Sequence, residues 1–101
     1  MRLNKLKGIA HDLAHHLNFE MWFGSLKDMP KKVDSDVLEL NGVFDKRCVQ
    51  FFKKRLPKTF DFKRIQRIKV KIDRTMTSIK INIKLKVDDK EFSYQSGSRM
   101  G

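Results

Sequence analysis

A chain of 101 residues with one cysteine and a formal charge of +11 has room for one hydrophobic core, not two. A hydrophobic content of 40%, with eight Phe, argues against disorder. No apolar run approaches the roughly 20 residues of a spanning helix, the N-terminus lacks a signal-type apolar core, and the single Cys48 cannot form an internal disulfide, so a cytoplasmic, non-spanning protein is expected.

Residues 3 to 23 are predicted as a helix. Leu3, Leu6, Ala10, Leu13 and Leu17 recur at alternating spacings of three and four, Ile9 widens the stripe, and Gly24 offers a left-handed stop. The polar stretch "SLKDMPKKVDSD", residues 25 to 36, shows no period and contains Pro30, which predicts a loop. A short strand over 36 to 42 closing in Asn41-Gly42 comes next, then a helix over 46 to 56 capped by Asp45 and stopped by Pro57. Residues 59 to 66 suggest one further short helix.

From residue 67 the period changes to two. Ile68, Val70 and Ile72 alternate with Arg67, Lys69 and Lys71, and Ile79, Ile81, Ile83, Leu85 and Val87 alternate with Lys80, Asn82, Lys84 and Lys86. A two-residue turn at Asp88-Asp89 sets Lys86 opposite Glu91, Leu85 opposite Phe92 and Ile83 opposite Tyr94. The predicted fold is α+β: helix, strand, helix and a three-stranded antiparallel meander, with the helices on its apolar face. Residues 1 to 95 form the single domain, and "SGSRMG", residues 96 to 101, is expected to be a flexible or appended tail.

At "IAHDLA", residues 9 to 14, followed by an aromatic helix end and a segment closing in "LNG", the chain resembles a loose group of small uncharacterised bacterial proteins. The resemblance covers under half of the chain and departs from that group's glycine-rich continuation. It implies the order of elements and a bacterial cytoplasmic setting, and it transfers no site residue.

The charge is unevenly placed. The first 45 residues nearly cancel, whereas residues 46 to 86 carry fifteen Lys and Arg against Asp61 and Asp73, a balance of +13. Arg67, Lys69, Lys71, Lys80, Lys84 and Lys86 fall on the polar side of the meander, where they either keep the sheet solvated or gather phosphates by counterion release. Phe92 and Tyr94 fall on the other side, so base stacking is not expected.

"HDLAHH", residues 11 to 16, holds every histidine of the chain. At 100° per residue His11 and His15 are outward neighbours, with His16 at the edge of the buried stripe. Two imidazoles fall short of the three or four ligands of a zinc site, and the His-Glu-x-x-His order is missing, so neither metal nor other cofactor is assigned. Cys48 has no activating base or orienting group on its own element, and the scattered glycines form no phosphate loop. Small basic RNases work with a few Lys, Arg and His residues, but no pattern here positions such a set. No small-molecule substrate is inferred. "FEMWF", residues 19 to 23, puts aromatics around more than one side of the helix end, which makes Trp22 and Phe23 candidates for a protein partner or homodimer contact.

The expectation is therefore a non-enzymatic binding protein with nucleic acid as its first candidate partner and protein interaction through Trp22 as the alternative.

Overall fold

The computed structural model describes residues 3–99. The chain is α+β, in the order α1 (Leu3–Phe23), β1 (Lys32–Asp36), α2 (Val43–Arg55), β2 (Ile65–Arg74), β3 (Ser78–Val87) and β4 (Lys90–Arg99), with single 3-10 turns at Val37–Glu39 and Phe62–Arg64. The strands form one antiparallel sheet in the order β1-β2-β3-β4. The expected three-stranded meander is β2-β3-β4, and β1 joins its edge as a fourth strand of the same sheet.

α1 forms where its periodicity places it. Leu6, Ile9, Ala10, Leu13, Ala14, Leu17 and Met21 are buried and belong to one hydrophobic cluster with Cys48, Val49 and Phe52 of α2 and the inward residues of the sheet. The helix does not stop on a left-handed glycine. Gly24 lies outside that region, and its need for a bare Cα is steric: a Cβ there would meet Glu20 Oε2 at 2.5 Å and Glu20 Cα at 3.1 Å. Glu20 folds over the turn to accept from the Ser25 amide and hydroxyl, at 2.9 and 2.7 Å, and these bonds hold its carboxyl below the usual carboxylate range.

The strand predicted over 36 to 42 lies earlier, at 32 to 36, inside the expected loop. β1 has one apolar inward residue, Val33, opposite Ile72, so period-two burial alone does not reveal it. Its other support is charge: Lys32 lies opposite Asp73, Asp34 opposite Lys71 and Asp36 opposite Lys69. The Val37 to Leu40 pattern that suggests a strand instead forms a 3-10 turn. Val37 is buried, and Leu40 ends the turn in the left-handed region with φ 55°.

α2 starts at Val43 behind Gly42, three residues before the expected start, so Asp45 is not its cap. It sits in the first helical turn, 7% exposed, where its carboxylate accepts the hydroxyl of Ser35 and ties β1 to α2. The partial positive charge at a helix N-terminus favours an acid there. α2 ends at Arg55, two residues before Pro57. The helix suggested over 59 to 66 shrinks to one 3-10 turn, whose cap Asp61 accepts from the Lys63 amide at 3.0 Å.

The β3–β4 hairpin has the expected register, including Leu85 opposite Phe92 and Ile83 opposite Tyr94. Asp88 and Asp89 take φ of 51° and 64°, the paired left-handed values of a type I′ turn. Gln66 braces the turn by accepting from the Asp89 amide at 2.7 Å, and Arg64 grips the Asp88 carboxylate through Nε and a terminal nitrogen. β4 does not stop at residue 95. It continues through Ser96 to Arg99, so the expected tail is largely strand, and Met100 and Gly101 lie outside the described residues. Among the described residues no helix is long and apolar enough to cross a membrane.

Candidate functional site

Both helices pack on one side of the sheet, and the other side is uncovered. The two-residue period of β2 and β3 sends their isoleucines inward and the intervening residues outward. As expected, Arg67, Lys69, Lys71, Lys80, Lys84 and Lys86 all emerge on the uncovered side, with Arg67 opposite Lys86 and Lys69 opposite Lys84. Phe92 and Tyr94 lie on the helix side, where the Lys7 ammonium stands 5.8 Å from the Phe92 ring centre and the His11 ring packs edge-on to Tyr94. This face offers cations without aromatic rings.

The face is less positive than the charge of residues 46 to 86 suggests, because β1 brings acids to it. Asp36 pairs with Arg67 at 3.3 Å, and Asp34 lies between Lys69 and Lys71 at 3.4 and 3.9 Å. Among the described side chains the face holds seven cations, the six above and Lys32, against Asp34, Asp36, Asp73 and Glu91, a balance of +3. Lys80, Lys84 and Lys86 of β3 form no ion pair with a described carboxylate. Lys80 lies opposite Asp73 and Lys86 opposite Glu91, which leaves Lys84, between Lys69 and Ser93, without a facing acid.

Two shallow depressions lie along it. The larger, about 750 Å³, crosses all four strands near Lys32, Lys71 and Lys80 and contains Asn82, whose side-chain oxygen is buried without a partner among the described residues. The smaller, about 200 Å³, lies nearer the β3–β4 turn between Arg67, Lys69, Lys84 and Lys86. From β4, Ser93 lines the smaller depression and Gln95 and Gly97 line the larger.

A second basic region lies at the end of α2 and in its connection to β2. Residues 46 to 64 hold eight Lys and Arg against Asp61 alone, a balance of +7 and more than half of the +13 carried by residues 46 to 86. Three of these cations stand over aromatic rings: Arg55 at 3.5 Å from the centre of Phe51, Lys53 at 5.0 Å from Phe62 and Arg64 at 5.0 Å from Phe60. The signal was present in "FFKKRLPKTFDFKR", where Phe and basic residues interleave across the end of α2 and continue into a connection that has no period. Sequence reasoning that follows periodicity passes over it.

His11 and His15 are exposed neighbours, with 3.1 Å between their Nε2 atoms, and His16 lies against the Phe51 ring at 5.3 Å between centres. Asp12 comes within 3.6 Å of His11 Nδ1, yet among the described residues no group of three or more His, Cys, Asp or Glu is placed to hold a metal ion. Cys48 is fully buried, and desolvation, followed by the nearby Asp45 charge, pushes its thiol up to about 12, which leaves no thiolate for nucleophilic work near neutral pH. Trp22 is half-buried and donates its indole N–H to the Ser98 hydroxyl at 3.0 Å, and Ser98 in turn donates to Asn18 at 2.8 Å. Phe23 is 67% exposed and Phe19 60%, and their rings lie 5.5 Å apart. No family model, curated protein or solved structure matches the chain.

Proposed function

We propose that this chain is a small, non-enzymatic, cytoplasmic binding protein whose uncovered sheet face contacts nucleic-acid phosphates. The observation that carries the reading is the uncovered face itself: six cations from β2 and β3 emerge on one side of the sheet, and the rings of Phe92 and Tyr94 lie on the other. Such a face suits the backbone, whose charge repeats whatever the sequence, and lacks the stacking platform that base-directed single-strand binders use.

Three or four phosphate contacts at this face alone imply roughly a hundredfold loss of affinity for mixed-sequence duplex DNA between about 50 and 200 mM salt, at about 0.9 counterions released per phosphate. Fluorescence anisotropy across salt measures this directly. Changing Lys69, Lys80 and Lys84 together to Glu is expected to weaken binding further and flatten the slope, and equal retention by the folded variant rejects the role of the face.

A second reading rests on the exposed Phe19–Phe23 pair. It makes the end of α1 a protein-interaction or homodimer surface with Phe23 at its centre and Trp22 as the internally bonded support beside it. Concentration-dependent sedimentation that is lost on Phe23→Ala supports it, and a monomer with no co-purifying protein removes it.

A further inference from the structure

We propose that the last turn of α2 and its connection to β2 form a second docking surface for nucleic-acid phosphates, separate from the sheet face. The inference rests on the polyanion-binding reading above but not on the sheet face as its location. Lys53, Lys54, Arg55, Lys58 and Lys63 stand in this region, and no described carboxylate forms an ion pair with any of them. The acids on this connection and on the turn beside it are already engaged: Asp61 caps the 3-10 turn, Asp88 is held by Arg64, and Asp89 accepts from the Gln66 side chain.

Basic residues at a helix C-terminus favour the helix dipole, which accounts for Lys53, Lys54 and Arg55 without any ligand. It does not account for Lys58 and Lys63, which lie beyond the helix. Two of the cations are also held in place. The Arg55 guanidinium stacks at 3.5 Å from the Phe51 centre, and the Lys53 ammonium stands over Phe62. A cation already fixed on a ring loses less side-chain freedom when a phosphate arrives, and a guanidinium keeps its planar fork of donors.

Charge complementarity fixes the occupant. The cations are spread around the end of a helix and along a connection, which suits a repeating polyanion better than a single small phosphate. The aromatic faces are covered by the chain's own cations, so this surface, like the sheet, meets the backbone and not the bases.

The test is anisotropy with a mixed-sequence DNA duplex of about 20 base pairs over about 50 to 300 mM salt, on the whole chain. The variant K53Q/K54Q/K58Q/K63Q is compared with a sheet variant, K69Q/K80Q/K84Q. At about 0.9 per phosphate, the first variant is expected to lower the slope of log K against log salt by about 3 and to weaken low-salt binding at least tenfold. The charge-reversed pair K54E/K58E, at two exposed positions, gives a second measure if the quadruple variant unfolds. An unchanged slope in a folded variant overturns the inference. Loss of binding to anionic phosphatidylserine vesicles with unchanged duplex affinity also overturns it, by assigning the surface to lipid. If only the sheet variant weakens binding, this inference falls and the sheet reading stands; the reverse result leaves this surface as the docking site and removes the sheet. No duplex binding by the parent protein at low salt ends both.

Discussion

Replacing Asp34 and Asp36 by Asn is expected to tighten nucleic-acid binding about fivefold. Both aspartates lie on the uncovered face, and between them they engage Arg67, Lys69 and Lys71 at 3.3 to 3.9 Å. A phosphate bound to this face stands about 8 Å from each, where one pair of charges in water repels by about 0.5 kcal/mol. Screening at about 0.1 M salt, with a Debye length of about 10 Å, leaves about 0.2 kcal/mol of this. Two aspartates that each face about two phosphates then cost about 1 kcal/mol, which is close to a factor of five in Kd. The assay is duplex anisotropy at fixed salt. Its control is Asp12→Asn with Asp28→Asn, which makes the same change in net charge at exposed positions away from the sheet. Equal gains in the two variants would mean that only total charge matters, and no gain in the β1 variant would refute phosphate contact on this face.

Two predictions concern stability. Leu40 holds a left-handed φ of 55° while 45% exposed, so Leu40→Gly removes backbone strain and gives up little burial; thermal melting should show a gain of about 0.5–1 kcal/mol, and a lower Tm contradicts it. Cys48 gives a pH dependence. Its folded-state thiol is raised to about 12, so between the unfolded value of about 9 and about 12 the unfolded chain gives up a proton that the folded chain keeps. The stability present below pH 9 is therefore lost as pH rises, by up to about 1.4 kcal/mol per pH unit, and Cys48→Ala should remove that slope in urea titrations at pH 8 and 10.

The sheet and α1 were legible because burial imposes a period. Every second residue from Ile79 to Val87 is buried, and the Asp-Asp turn takes the left-handed pair its spacing calls for. β1 was hidden because Val33 is its one apolar inward residue and its remaining support lies in charges on a strand distant in sequence. The end of β4 was hidden for a related reason. Ser96 and Ser98 occupy inward positions that an apolar pattern leaves blank, and Ser98 is there to bond Trp22 and Asn18 of α1. The candidate site divides in the same way. The lysine face follows from period two, but its net charge depends on Asp34 and Asp36, which the sequence places in an unrelated segment. Of the cations over rings, Arg55 follows Phe51 at the i, i+4 spacing of α2, whereas Phe60 and Phe62 lie on a connection without a period.

The acids of β1 also explain why a face proposed for phosphates carries its own counter-charges. With so few apolar contacts, β1 is open to slipping along β2, and a slip of two residues keeps Val33 inward. One such slip sets Asp34 against Asp73 and keeps one opposite-charge pair, Asp36 with Lys71; the opposite slip sets Lys32 against Lys71 and keeps two, Asp34 with Lys69 and Asp36 with Arg67; the observed register alone opposes all three charges of β1 to opposite ones. Charge therefore selects the register that apolar burial leaves open. Neutralising Asp34 and Asp36 removes that selection while it exposes three cations, so the variant that binds more tightly should also lose amide-exchange protection across Lys32–Asp36. On the proposed reading, placing the edge strand would hold phosphate affinity at this face below its maximum, and the end of α2, which has no strand to register, carries its positive charge without such a constraint.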